Sequence, residues 1–163
     1  MHEFKAKRVT RVFSERIEAP RSKVFPLLCP VREYDWLSGW SCDMIYSDSS
    51  VVEDNCIFKT GFLGHGEEIW VTTRYDEQDF IKEFVVVNPS SRVLKLDVRL
   101  NDLGDDCTEA RWTFTITALN ESGNSMVDGF TEGVHRNFMG LVAKSLKLYC
   151  ETGTMLKVHP HGS

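Results

Sequence analysis

With 163 residues, 42% of them hydrophobic and 26% charged, the chain has the material for one soluble domain around a single sizeable core. Acidic residues outnumber basic ones 24 to 19, and a formal net charge of −5 leaves no surplus of Lys and Arg to neutralise phosphates, so a nucleic-acid partner is not expected. No apolar run reaches the roughly 18–20 residues needed to span a bilayer, which argues against integral membrane association.

The N-terminal stretch from Met1 to Arg8 lacks the apolar core of a signal peptide, so the expected location is the cytoplasm. Cys29, Cys42, Cys56, Cys107 and Cys150 are odd in number and widely spaced, with no pair at a Cys-x-x-Cys interval. They read as reduced, mostly buried small hydrophobes rather than a metal or redox set. Residues 1–158 are expected to form one domain, and the tail from His159 to Ser163 to be frayed.

The first strand is expected over about Lys5 to Ala19. Pro20 suits the first turn of a helix, and Val24, Leu27 and Leu28 share one face of it, but Pro26 keeps that helix short. Pro30 opens a second short segment, Val31 to Leu37, so two short helices should meet in a V. From Trp40 onward apolar residues alternate with period two. Cys42, Met44 and Tyr46 form one face and Cys56, Phe58 and Thr60 another, before the glycine-flanked loop from Gly61 to Gly66. Strands are expected over Glu67 to Asp76 and Phe80 to Val87. Then Leu94, Leu96, Val98 and Leu100 oppose Lys95, Asp97 and Arg99, and Ala110, Trp112, Phe114, Ile116 and Ala118 oppose Arg111, Thr113, Thr115 and Thr117. Two neighbouring strands, each with one wholly apolar face, define a sheet with a wet side and a dry side.

The dry side needs a cover. Met126, Phe130, Val134, Phe138, Leu141, Val142, Leu148 and Tyr149 recur at helical spacing, predicting one amphipathic helix from Met126 to about Thr152, with Gly153 as its stop. Some 26 residues at about 1.5 Å each reach across a whole sheet. The order is strand, two short helices, six strands and a long helix. That predicts an α+β, helix-grip architecture: a seven-stranded curved antiparallel sheet wrapped around the long C-terminal helix.

With this order, Ile17-Glu18-Ala19-Pro20-Arg21-Ser22-Lys23-Val24-Phe25 at the passage from strand to helix, and Trp112-Thr113-Phe114-Thr115-Ile116 in the last strand, resemble the START-like or SRPBCC superfamily. That superfamily includes polyketide cyclases, plant pathogenesis-related allergens and lipid-transfer domains. The segment from Cys29 to Trp40 looks like bacterial members of it. The resemblance covers nearly the whole chain and implies a ligand cavity between sheet and helix. Trp36, Trp40, Phe58, Trp112, Phe114 and Phe138 are the rings expected to line it, with Val142 from the helix. The same rings could instead simply fill the core.

Two residues are candidates for chemistry. Glu83 shares a strand face with Ile81, Val85 and Val87, and would be a carboxyl in an apolar pocket if that face is inward. If Lys82, Phe84 and Val86 point inward instead, Glu83 is solvated, and one residue of register decides. His135 lies at the edge of the helical stripe and could reach the cavity as a base or donor, or stay partly exposed. His65 with Glu67 and Glu68 lacks a second spaced histidine, so no metal is expected, and the Gly61 to Gly66 loop reads as a gate. No nucleotide fingerprint or other cofactor motif is present.

The expected function is binding or transport of a small hydrophobic molecule: a lipid, a polyketide-like compound or an aromatic metabolite. A cofactor-independent cyclase, dehydratase or hydrolase using Glu83 or His135 is the alternative. A regulatory or chaperone-like partner-binding domain is the third reading.

Overall fold

In the computed structural model, residues 3–157 are described. The expected tail from His159 to Ser163 lies outside them. The strands are β1 (Arg8–Ile17), β2 (Asp43–Tyr46), β3 (Ile57–Thr60), β4 (Glu68–Asp76), β5 (Ile81–Asn88), β6 (Arg92–Gly104) and β7 (Cys107–Ala118). They form one antiparallel sheet in the order β1-β7-β6-β5-β4-β3-β2. Between β1 and β2 lie α1 (Arg21–Val24), a 3-10 turn (Phe25–Leu27) and α2 (Glu33–Trp36). The chain closes with α3 (Glu121–Gly129) and α4 (Glu132–Thr152). This is the expected helix-grip arrangement.

The β6–β7 hairpin carries the firmest part of the core. Leu94 stands opposite Ile116, Leu96 opposite Phe114, Val98 opposite Trp112 and Leu100 opposite Ala110, and all eight are buried. Their alternation with exposed or half-buried neighbours follows the pleat, which sends successive side chains to opposite faces.

Two expectations for the C-terminal segment need correction. It is two helices rather than one, and the first begins at Glu121, ahead of the expected start at Met126. Asn120 accepts a hydrogen bond from the Gly123 N–H, and Thr131 accepts one from the Val134 N–H, so each helix begins on its own cap. The break at Phe130 also rotates the face of α4. Its buried residues are His135, Met139, Val142, Ala143, Ser145, Leu146 and Cys150, whereas Val134 is 50% exposed. The expected stripe ran through Val134 because it carried the phase of Met126 across a break. Gly153 does end α4, in the left-handed conformation at φ 75°, with its N–H bonded to the Tyr149 carbonyl.

The start of α3 docks on the β5–β6 turn. Leu119 N–H donates to the Ser91 carbonyl at 2.7 Å, and Asn120 Nδ2 donates to the Ser90 carbonyl at 2.7 Å. A Cβ on Gly123 would stand 2.0 Å from that same Ser91 oxygen. Gly123→Ala is therefore expected to destabilise the fold by ~2–3 kcal/mol in urea unfolding, although alanine is the better helix former by about 1 kcal/mol. An unchanged midpoint would show that α3 does not sit against the turn.

Candidate functional site

Two adjoining spaces lie between the concave sheet face and the helices. The outer one is a cleft of about 570 Å³, walled by Phe114 and Ile116 of β7, by Met126 and Gly129 of α3, and by Phe138 and Leu141 of α4. Leu63, Gly64 and His65 of the loop between β3 and β4 close one side, and Arg92 borders it as well. The inner cavity is smaller, about 70 Å³, and is bordered by rings from four strands and from the loop regions. Leu63, Phe114 and Phe138 border both spaces, so these three side chains stand between cleft and cavity. The Phe62 ring lies 5.9 Å from that of Phe138 and 5.3 Å from that of Trp40, which joins the loop to the aromatic wall. On its other side the loop is held by Asn88, whose Nδ2 donates to the His65 carbonyl at 3.1 Å.

Of the side chains expected at the site, Trp40, Phe58, Trp112, Phe114, Phe138 and Val142 border the inner cavity. Trp36 does not. It ends α2 and is fully buried, with its indole N–H donating to the Leu27 carbonyl of the 3-10 turn at 2.8 Å. Sequence alone gives no way to tell Trp36 from Trp40, because the turn between them sets which ring meets the cavity.

Glu83 is not a cavity residue. In β5 the inward face holds Lys82, Phe84, Val86 and Asn88, all buried, so Glu83 points to the opposite face. There it pairs across the strands with Asp97 and Arg74, and its carboxylate lies 3.9 Å from Lys95 Nζ. Register decided the matter against it, since Val85 and Val87 had made both faces of β5 look apolar.

His135 is buried, yet it does not border either space. Its ring centroid lies 4.9 Å from that of Phe114, 5.3 Å from Phe130 and 6.4 Å from Phe13, so it sits behind the wall of the cleft. Nε2 has no partner. Burial, helped by Arg11, lowers its pKa to about 4, so the ring is neutral near pH 7. The unfolded chain would take up a proton as pH falls below about 6.5, while the folded chain would wait until about 4. Stability is therefore present above pH 6.5 and is lost as pH falls through that window. His135→Leu is expected to flatten this acid slope, read as urea midpoints between pH 6.5 and 4. An unaltered slope would mean that the imidazole is not desolvated.

Four polar residues on or under the concave face were not among the site residues expected from the sequence. Lys82 is completely buried. Its ammonium donates to the Phe25 carbonyl at 2.8 Å and to the Leu28 carbonyl, and lies 4.2 Å from the centre of the Phe25 ring. It thus ties the 3-10 turn to the sheet, and burial lowers its pKa to about 8. Glu68 and Arg92 form a buried pair, with Arg92 Nε and Nη2 donating to the two carboxylate oxygens at 3.1 and 3.0 Å. Glu33 of α2 borders the inner cavity. Desolvation raises its pKa to about 8, against a smaller opposing pull from Lys82. The signal for Glu33 was its spacing from Trp36 and Leu37, three and four residues on, which places it on the apolar side of its helix.

Among the described residues, no group of three or more His, Cys, Asp or Glu is placed to hold a metal ion, and no helix is long and apolar enough to cross a membrane.

The sheet, the grip on α4 and the enclosed aromatic cavity together define the START-like helix-grip fold. Among solved structures, norcoclaurine synthase from Thalictrum flavum, in complex with dopamine and hydroxybenzaldehyde, superposes with a TM-score of 0.67 at 12% identity, over 91% of this chain and 90% of that one. The Zhui aromatase/cyclase from Streptomyces sp. R1128 matches at a TM-score of 0.66 and 10% identity, over 93% and 100% of the two chains. A START superfamily protein from Mycobacterium smegmatis matches at 0.64 and 11%, over 89% and 99%. No family model and no curated protein matches the sequence. Identities this low establish a shared fold, and function has to be argued from the site.

Proposed function

We propose that the protein binds a small, largely apolar molecule in the space between the sheet and α4. The observation that carries this reading is a cleft of about 570 Å³ that adjoins an aromatic cavity, with Leu63, Phe114 and Phe138 bordering both. Its volume lies in the range of about 300–1,000 Å³ common to small-molecule sites. The inner cavity alone is too small for a whole metabolite. The ligand body therefore belongs in the cleft, with one end reaching past Phe138. Norcoclaurine synthase, crystallised with dopamine and hydroxybenzaldehyde on this fold, is consistent with small aromatic occupants.

Binding of the uncharged fluorophore N-phenyl-1-naphthylamine tests the reading. Leu141→Trp, at the half-buried rim of the cleft, is expected to weaken that binding several-fold. Native mass spectrometry of protein purified without added lipid should also show a small-molecule adduct. Absence of fluorophore binding, or binding indifferent to the Leu141 change, would sink the proposal.

A second reading, a cofactor-independent cyclase or dehydratase, has one specific observation in its favour. A carboxyl does face the cavity, but it is Glu33 rather than Glu83, and its raised pKa suits an acid held protonated near neutrality. On this reading Glu33→Gln abolishes turnover of a bound substrate and leaves its binding intact. Turnover that survives the change would return the protein to the binding class.

A further inference from the structure

The inner cavity is almost wholly aromatic and aliphatic, yet two polar groups on its wall have no protein partner. The Trp70 indole Nε1 is buried without a hydrogen bond, and Trp70 is only 7% exposed. The Glu33 carboxyl accepts no hydrogen bond from any described residue and is influenced only by burial and by the charge of Lys82. The contrast with its neighbours is sharp. The indole N–H of Trp36 donates to the Leu27 carbonyl and that of Trp40 to the Pro30 carbonyl, both at 2.8 Å. A buried donor left unmade is costly, on the order of 1–3 kcal/mol, so the Trp70 N–H calls for an occupant that accepts from it, and the half-buried Glu33 carboxyl on the same wall offers that occupant a second hydrogen bond.

We infer that Trp70 and Glu33 form the polar end of the ligand site and select an uncharged molecule carrying a hydroxyl on a ring, the phenol class. This rests on the apolar-ligand reading above and specifies the ligand's inner end. Charge arguments narrow the choice. A carboxylate head would be stripped of water among the rings of an apolar cavity, and an ammonium would in addition enter a region already biased by the Lys82 cation. A neutral hydroxyl suits both groups, because its oxygen accepts from the Trp70 N–H and its proton is donated to a Glu33 oxygen. The surrounding rings suit a flat partner. Phe58 stacks on Trp70 at 5.4 Å between centroids, with Phe84 edge-on to Trp70 at 5.6 Å. A cavity of about 70 Å³ admits the hydroxylated edge of such a ring, leaving the rest to the cleft.

Matched probes separate this inference from the reading beneath it. 2-Naphthol and naphthalene differ by one hydroxyl, and their binding can be followed by quenching of tryptophan fluorescence, since Trp40, Trp70 and Trp112 all border the cavity. Naphthol is expected to bind about tenfold tighter than naphthalene, and tighter than 2-naphthoate or protonated 2-naphthylamine. Trp70→Phe and Glu33→Met should each bring the ratio of naphthol to naphthalene affinity most of the way to one. Glu33→Gln, which keeps a donor and an acceptor, should retain it. Equal binding of naphthol and naphthalene to the unmodified protein overturns the inference while the apolar site stands, and that comparison needs no variant to fold. If neither compound binds, the apolar-ligand reading fails too.

Discussion

Replacing Arg92 by Ala is expected to destabilise the protein by ~3–5 kcal/mol, a large part of the ~5–15 kcal/mol that holds a typical domain together. The reason lies in what remains. The Glu68 side chain is fully buried and that of Arg92 is 5% exposed, and the two meet through a pair of parallel hydrogen bonds. Removing the guanidinium strands a carboxylate where water cannot reach it. The pair as a whole is far less valuable than this figure suggests, because both ions were stripped of water to make it. The double variant Arg92→Met with Glu68→Leu should accordingly recover most of the lost stability. Urea unfolding of the two variants provides the check. A single variant within 1 kcal/mol of the parent, or a double variant no better than the single, would show that Glu68 is not left charged and buried. Because Arg92 also borders the cleft, the double variant should alter ligand binding even where it restores stability.

A second large effect concerns pH. Glu33 ionises near its ordinary value of 4.5 in the unfolded chain but holds its proton to about 8 in the fold. Between these limits the folded state binds more protons than the unfolded state. Stability therefore declines as pH rises through the window and is lowest, as far as Glu33 is concerned, above about 8. Each pH unit is worth about 1.4 kcal/mol at most, and local relaxation reduces the total to ~2–4 kcal/mol. His135 acts with the opposite sign, but only between about 4 and 6.5. Lys82 also opposes it, though only from about 8 upward, where the unfolded chain still holds a proton that the folded chain has released. The interval from 6.5 to 8 thus isolates Glu33. There the parent should lose stability with rising pH, and Glu33→Gln should not. A constant difference between their urea midpoints at pH 6.5 and 8 would show that the carboxyl is solvated.

The hairpin of β6 and β7 was fully legible in the sequence, because strict period-two alternation over long strands fixes which face is inward. The same rule failed on β5. Val85 and Val87 lie half-buried on the outer face, so both faces of that strand are apolar and the pattern does not choose between Lys82 and Glu83. The break at Phe130 is written in Asn120 and Thr131, two good capping residues, but a continuous run of apolar residues at helical spacing masked it. Five of the rings bordering the cavity, Trp40, Phe58, Trp112, Phe114 and Phe138, could be named from composition and order, whereas Trp36 was wrongly included and Phe62, Trp70 and Phe84 were missed. The polar end of the cavity could not be named. Glu33 sits on a four-residue helix that follows the 3-10 turn held by the Lys82 ammonium, and that hold joins residues more than fifty positions apart.

The two separate caps on α3 and α4 have a consequence for how a guest gets in. No helical ladder runs through Phe130 and Thr131, so the segments are distinct cooperative units with their own opening equilibria. α3 is held at its first turn, where Gly123 meets Ser91, and again by Asn124 and Asp128, which bond the backbone of Lys5 and Lys7 and the Lys7 ammonium. A guest passing beside Met126 and Gly129 would have to loosen these contacts of a nine-residue helix, and could leave every backbone bond of α4 made.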